Sequence, residues 1–228
     1  MGEISPQLAD NEAWVDQTFE KCDDILHRQV YLGQGRQEGL LVYVEVAVSN
    51  LMLEEHVIGL SDVQPLKSYE EGKAALLAGN GLLFLDGDTN CYKISSKGYP
   101  GLGVKKAENE KVIRGSQEAF TESEKINVAL IRKRLRDSRM KVEEQTVGVR
   151  SHTMTALVYM EDLIYQGLLT TMKQQLQRYE IDGILDSGML EQLSEKHWLS
   201  PFPQFQTTER PDRAAAAVLE GRIVLVTD

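Results

Sequence analysis

The stretch Asp212-Arg213-Ala214-Ala215-Ala216-Ala217-Val218-Leu219-Glu220-Gly221-Arg222-Ile223-Val224-Leu225-Val226 decides the fold class. Asp212 to Leu219 reads as a helix, and Ile223 to Val226 is a β-type apolar run. A helix followed at once by a strand argues for layered α/β structure. Just upstream, Thr208-Glu209-Arg210-Pro211-Asp212 reads as a helix start. Thr208 or Asp212 can cap it, and proline suits the first turn, where its missing N–H has no intrahelical partner. Pro211 also pushes Arg210 out of the α region. Ser200-Pro201-Phe202-Pro203 can be neither helix nor central strand, so it reads as a stiff extended link with one aromatic anchor. A chain that stops after the apolar run is expected to continue into something longer.

The alternation holds further out. Ser187 to Lys196 and Ile164 to Tyr179 read as helices, and Thr153 to Tyr159 and Val142 to Val149 as strands. Thr121 caps a helix through Leu135, with Val128, Ile131 and Leu135 on one stripe. In the first half, Asp10 to Leu26 reads as a helix, because Val15, Phe19, Cys22 and Leu26 share a face. Gly33 to Gly39 is a loop, Leu40 to Val48 a strand and Asn50 to Ile58 a helix. Ser68 to Ala78 is a helix with Ser68 and Glu71 at capping-box spacing and Gly79 closing it. Leu82 to Leu85 and Cys91 to Ile94 are short strands around Asp86-Gly87-Asp88, a hairpin signature.

Between these halves, Ser95 to Glu110 holds Gly98, Pro100, Gly101 and Gly103, then a charged run poor in apolar residues. That is linker composition. The expected fold is therefore two small α/β subdomains, each a sheet packed with helices. They cover residues 1–100 and 112–228, joined by a linker at 101–111.

Composition excludes some functions. The 228 residues carry a net charge of −10 and a pI near 5.0. Phosphate attraction needs a basic surface, so nucleic acid is not an expected partner. Cys22 and Cys91 lie far apart with no CxxC, which reads as inert thiols in a reducing compartment. The N-terminus lacks a basic and an apolar signal region. No apolar run approaches the ~20 residues that span a bilayer.

Several motif-like stretches fail on spacing. Gly33-x-Gly35-x-x-x-Gly39 is followed by a strand, whereas a phosphate loop opens a helix. Asp86-Gly87-Asp88-Thr89-Asn90 begins like a calcium loop, but Cys91 and Lys97 stand where that loop needs glycine and glutamate. His27, His56, His152 and His197 are scattered, without zinc-ligand spacing. There is no GxSxG elbow. The residues make no case for an enzyme, a cofactor or a metal.

The densest basic run, Arg132-Lys133-Arg134-Leu135-Arg136, has two readings. Cations complement the carbonyl end of a helix, and they also suit an anionic partner such as a subunit face. Glu209 and Arg210 likewise form either an internal ion-pair corner or a contact surface. Glu118, Glu122 and Glu220 are the candidate partners of Arg210 in that corner.

Three blocks in fixed order, Ser200-Pro201-Phe202-Pro203-Gln204, Thr208 to Asp212 and Leu219-Glu220-Gly221-Arg222, carry a family resemblance. Ile113-Arg114-Gly115-Ser116-Gln117-Glu118-Ala119-Phe120-Thr121-Glu122-Ser123, followed by Asn127 to Arg134, adds to it. Together they resemble the A subunits of the GerA family of spore germination receptors. The resemblance is specific from about Ile113 to Asp228. It implies the soluble N-terminal domain of a nutrient germinant receptor in the inner membrane of the spore, on its cytoplasmic or core side. Membrane spans would follow the C-terminus. The implied partners are the receptor's B and C subunits, with self-association of A subunits and binding of a small nutrient as further expectations. The implied role is receptor assembly and signal transmission. The alternative is a germinant-binding module with its ligand between the subdomains. Candidate ligand or subunit contacts are Arg114, Glu118, Arg132, Arg134, Glu209, Arg210, Asp212, Glu220 and Arg222.

Overall fold

The computed structural model describes residues 2–33, 37–46, 63–95, 110, 114–178, 181–184, 187–195 and 204–227. They form two units. The first comprises Met1–Leu102 with Arg132–Ser138, the second Gly103–Ile131 with Arg139–Asp228.

In the first unit, helix α1 (Leu8–Thr18) precedes strands β1 (Ile25–Leu32), β2 (Gln37–Val44) and β3 (Val63–Leu66). Helix α2 (Tyr69–Leu77) and strands β4 (Gly81–Leu85) and β5 (Cys91–Ile94) follow. The sheet order is β1-β2-β4-β5-β3, and every pairing is antiparallel. β2 and β4 are central, and their buried Leu40, Leu41, Val42, Leu82, Leu83 and Phe84 read as apolar runs rather than alternations. Trp14 of α1 stacks on Tyr69 of α2 with ring centroids 4.5 Å apart and meets Phe19 and Phe84 edge-on. The buried Asn11 ties the N-terminal segment down: its amide donates to the Ser5 carbonyl (2.9 Å), and the Tyr69 hydroxyl donates to its Oδ1 (2.7 Å).

α2 forms as its sequence implies. The Ser68 side chain accepts from the Glu71 N–H, satisfying a donor that has no intrahelical partner. The Glu71 carboxylate reaches back to the Lys67 N–H at 2.9 Å, and Gly79 takes φ +89° just past the end. The turn between β4 and β5 is a hairpin. Asp88 accepts from the Asn90 backbone and side chain and from the Tyr92 hydroxyl (2.6 Å), so its carboxylate holds a turn.

α1 is shorter than the periodicity predicts. It ends at Thr18, Lys21 turns with φ 60°, and Leu26 lies in β1 opposite Tyr43. Eight cross-strand pairs outweigh a helical stripe whose last member, Leu26, is not fully buried. Gln37 to Gly39, expected within a loop, already belong to β2. Gly39 lies inside that strand, where a Cβ would come within 3.0 Å of the Phe84 carbonyl oxygen. β2 ends at Val44, so Glu45 falls outside it. β3 contains Pro65, which is tolerated because β3 is an edge strand. The expected helix Asn50–Ile58, most of the expected linker and the Ser200–Pro203 link lie outside the described residues.

In the second unit, which takes α3 (Glu124–Arg132) up to Ile131, that helix comes before β6 (Met140–Val147) and β7 (Thr153–Met160). Then come α4 (Gln166–Gln177), α5 (Ser187–Ser194), α6 (Pro211–Leu219) and β8 (Val224–Thr227). The sheet is antiparallel, β6-β7-β8. Leu169, Met172 and Leu176 of α4 and Leu190 of α5 share one core cluster with Val147, Leu157 and Tyr159 of the sheet. α6 packs on β7 and β8 and buries Ala214, Ala215 and Val218. Each unit thus has a sheet packed with helices, as the alternation of elements implies.

Candidate functional site

The site grows from the start of α6. Pro211 is its first residue, and Arg210 before it is extended (φ −106°, ψ 117°). That is ordinary geometry for a capping position, but the guanidinium only donates and cannot accept from the helix N–H groups. Three local bonds replace the cap. The Thr208 hydroxyl oxygen accepts from the Arg210 N–H at 3.1 Å. The Arg210 guanidinium makes a two-pronged bond to Asp212, Nε to Oδ1 at 3.0 Å and Nη2 to Oδ2 at 2.5 Å. Asp212 also places a negative charge in the first turn, where the helix dipole favours it.

One distant carboxylate gathers the segment. Glu110 Oε2 accepts from the Thr208 hydroxyl (2.5 Å) and from the Glu209 N–H (2.9 Å), while Oε1 accepts from Arg213 Nη1. Burial pushes the Glu110 carboxyl up, but these three donors outweigh it and hold its pKa below the ordinary carboxyl value. The hydrogen bond and charge of Asp212 push the Arg210 guanidinium the opposite way, upward. The Glu209 carbonyl accepts from the Phe120 N–H at 2.8 Å. Residues 110, 120 and 208–213 thus form one corner, knitted by charge-assisted bonds.

The other end of α6 is closed as tightly. The Gly221 N–H bonds to the Val218 carbonyl and the Arg222 N–H to the Ala217 carbonyl, both at 3.1 Å. That is the Schellman arrangement, with the left-handed residue just past the cap. Gly221 has φ +79°, and a Cβ there would lie 2.7 Å from the Leu163 carbonyl oxygen. Arg222 bonds to Glu220 (2.7 Å) and to Gln206 (3.1 Å) on the surface.

The structure brings Glu209, Arg210 and Asp212 together, and it sets Glu220 and Arg222 at the far end of the same helix. Arg210 pairs with Asp212 rather than with Glu118, Glu122 or Glu220. A partner two residues away reaches the guanidinium without crossing to another element. Arg114 is exposed, and Glu118 is half-buried two residues before Phe120. α3 is shorter than expected, Glu124–Arg132 instead of running on to Leu135. Thr121 lies before its first turn, tied to Asn127 by a 2.7 Å bond from its N–H and a 2.8 Å bond to its carbonyl.

Arg132 differs most from its surface reading. Its side chain is fully buried, and it forks onto Asp24 at 2.8 and 2.7 Å. It is an internal residue of the first unit, which also holds Arg134. Glu110 and Arg213 were not legible as site residues. Glu110 is one of several charged residues in a run, and its partners lie about a hundred positions on. The glycine of Leu-Glu-Gly-Arg was a readable signal, since glycine after a helix often takes the left-handed cap.

Among the described residues no group of three or more His, Cys, Asp or Glu side chains is placed to hold a metal ion, and no helix is long and apolar enough to cross a membrane. The corner has ion pairs and oriented peptide bonds. These bonds fix where α6 begins.

Comparison with known proteins gives the context. The family model described as Bacillus/Clostridium GerA spore germination protein matches residues 52–228. The chain is 32% identical over 247 residues to an uncharacterized membrane protein, YfkQ, of Bacillus subtilis, covering 99% of this chain and 48% of that protein. It is 29% identical over 249 residues to spore germination protein KA of the same organism, covering 99% of this chain and 46% of that one. The chain therefore spans about half the length of these relatives. Its fold is similar to the crystal structure of the N-terminal domain of the A subunit of the Bacillus megaterium spore germinant receptor GerK3. The TM-score is 0.75 at 23% identity, over 100% of this chain and 93% of that one.

Proposed function

We propose, from the premise that this chain belongs to the GerA family of spore germination proteins, that it is the N-terminal domain of a germinant-receptor A subunit. Its role is to hold the receptor together and to pass on the nutrient signal, with no catalysis of its own. The observation that carries this reading is the Glu110 corner. A single carboxylate orients the start of α6, and α6 leads through Gly221 into β8. Any force on residues 208–213 is thereby delivered to the helix and strand that end the chain. The partners are the receptor's B and C subunits, in the inner membrane of the spore.

Two measurements test the proposal together. Spores lacking the full-length gene should lose their response to at least one nutrient, and the B subunit should co-purify with the full-length protein from spore membranes. Unchanged germination with every nutrient tried, or no co-purification, would contradict it. Calorimetry with the responsive nutrient separates transmission from binding: heat of binding to the 228-residue chain would favour the germinant-binding alternative.

A further inference from the structure

The second sheet carries two buried polar atoms without partners on neighbouring strands. Gln145 of β6 and Thr155 of β7 stand directly opposite each other. Thr155 is fully buried. Its hydroxyl and Gln145 Nε2 lack hydrogen-bond partners among the described residues. Most buried polar groups in native proteins are bonded to protein or to ordered water, because leaving one unpaired costs its desolvation. Opposed side chains on a sheet start only ~5 Å apart at Cβ, yet these two atoms make no bond to each other. A group bonded to both atoms would satisfy them.

The neighbouring charge is already matched. Side chains alternate along a strand, so Glu143 shares the face of Gln145, while Leu157 and Tyr159 share that of Thr155. The Tyr159 hydroxyl and Lys173 of α4 both donate to the Glu143 carboxylate, Lys173 at 2.5 Å. The amide N–H of Gln145 only donates, and a hydroxyl both donates and accepts. A charged guest would be left without a counterion in this position. The matching chemistry is therefore one neutral oxygen that accepts from Gln145 and shares a bond with Thr155.

We propose that Gln145 and Thr155 form a binding site for one small neutral hydroxylic molecule, bridged between β6 and β7 on the α4 face of the sheet. Water and the hydroxyl of a small alcohol share this chemistry. The test uses the isotope-labelled 228-residue chain and Overhauser contacts from the Gln145 side-chain amide and the Thr155 methyl. Cross-peaks to slowly exchanging water identify water as the guest, and cross-peaks to a co-purified aliphatic resonance identify an alcohol. Thr155→Val and Gln145→Leu should each lower Tm by about 2–4 °C. The double variant should lose no more than either single one, because the bridge is lost only once. Absence of any non-protein cross-peak, or a Thr155→Val chain as stable as the parent, overturns the proposal.

Discussion

Glu110, Arg210 and Gly221 hold the two ends of α6 by bonds of different strength. The Glu110 carboxyl is held below the ordinary value, so it stabilises the folded chain above the unfolded carboxyl pKa of about 4.3. That stabilisation disappears as pH falls through the lower, folded pKa. Glu110→Gln should therefore melt below the parent at pH 7, with the difference shrinking towards pH 3; a pH-independent difference would assign the loss to packing. The Arg210 side chain is only 12% exposed, and its partner Asp212 lies two residues along the same chain. Arg210→Ala should lower Tm measurably, because it leaves the partly buried Asp212 carboxylate without its two-pronged partner; an unchanged Tm would assign Arg210 to a contact surface instead. The sequence reading of a corner at Glu209-Arg210 names Glu118, Glu122 and Glu220 as partners, whereas Arg210 pairs with Asp212; Glu110, which gathers the segment, does not stand out, since no local pattern marks a carboxylate whose donors come from far along the chain. Gly221 is the opposite case. Its positive φ and its approach to Leu163 leave no room for a side chain, so Gly221→Ala should cost about 1–3 kcal/mol, read as a lower urea midpoint.

Elements were legible where local chemistry and tertiary packing agree. α2 carries its own start and stop, and Ser68→Ala should cost about 1 kcal/mol by removing the cap. The β4–β5 hairpin is similar, since Asp86-Gly87-Asp88 sets the turn and Asp88 locks it onto Tyr92. Legibility failed where a distant partner decides. Leu26 continues a helical stripe but lies in β1, because β2 offers it a cross-strand neighbour. β3 was hidden by Pro65, which is admitted only because the strand is an edge. Arg132 reads as part of a basic surface run, yet it is buried against Asp24, 108 residues earlier. Arg132→Ala leaves Asp24 without that guanidinium. Removing one member of a buried pair typically costs about 3–5 kcal/mol, so thermal melting should show a severe loss of stability. A change below about 1 kcal/mol would show instead that the pair is solvated, as surface pairs are.

For the whole molecule, the alternation of helices and strands reported two packed sheets, whereas strand order and the antiparallel sense of each pairing required the structure. Nothing in the sequence foretells that Arg132–Ser138 groups with the first unit while the residues on either side of it belong to the second. We propose that the chain folds as two units divided near residues 101–111, on the strength of the Gly, Pro and charge composition of Ser95 to Glu110. Limited proteolysis should cut first between about Gly98 and Lys111, and first cleavage within Glu124–Arg132 would count against that division. The central claim is that the corner at the start of α6 passes the signal to the rest of the receptor. It is tested most directly by the germination rate of spores carrying the full-length protein as Glu110→Gln, Arg213→Ala or both, at equal receptor levels in the membrane. The account predicts that each single variant slows nutrient-triggered germination and that the double variant is no slower than the worse single one. Parental germination rates in all three, with faster amide exchange at Glu209 to Arg213 proving the corner loosened, would contradict it.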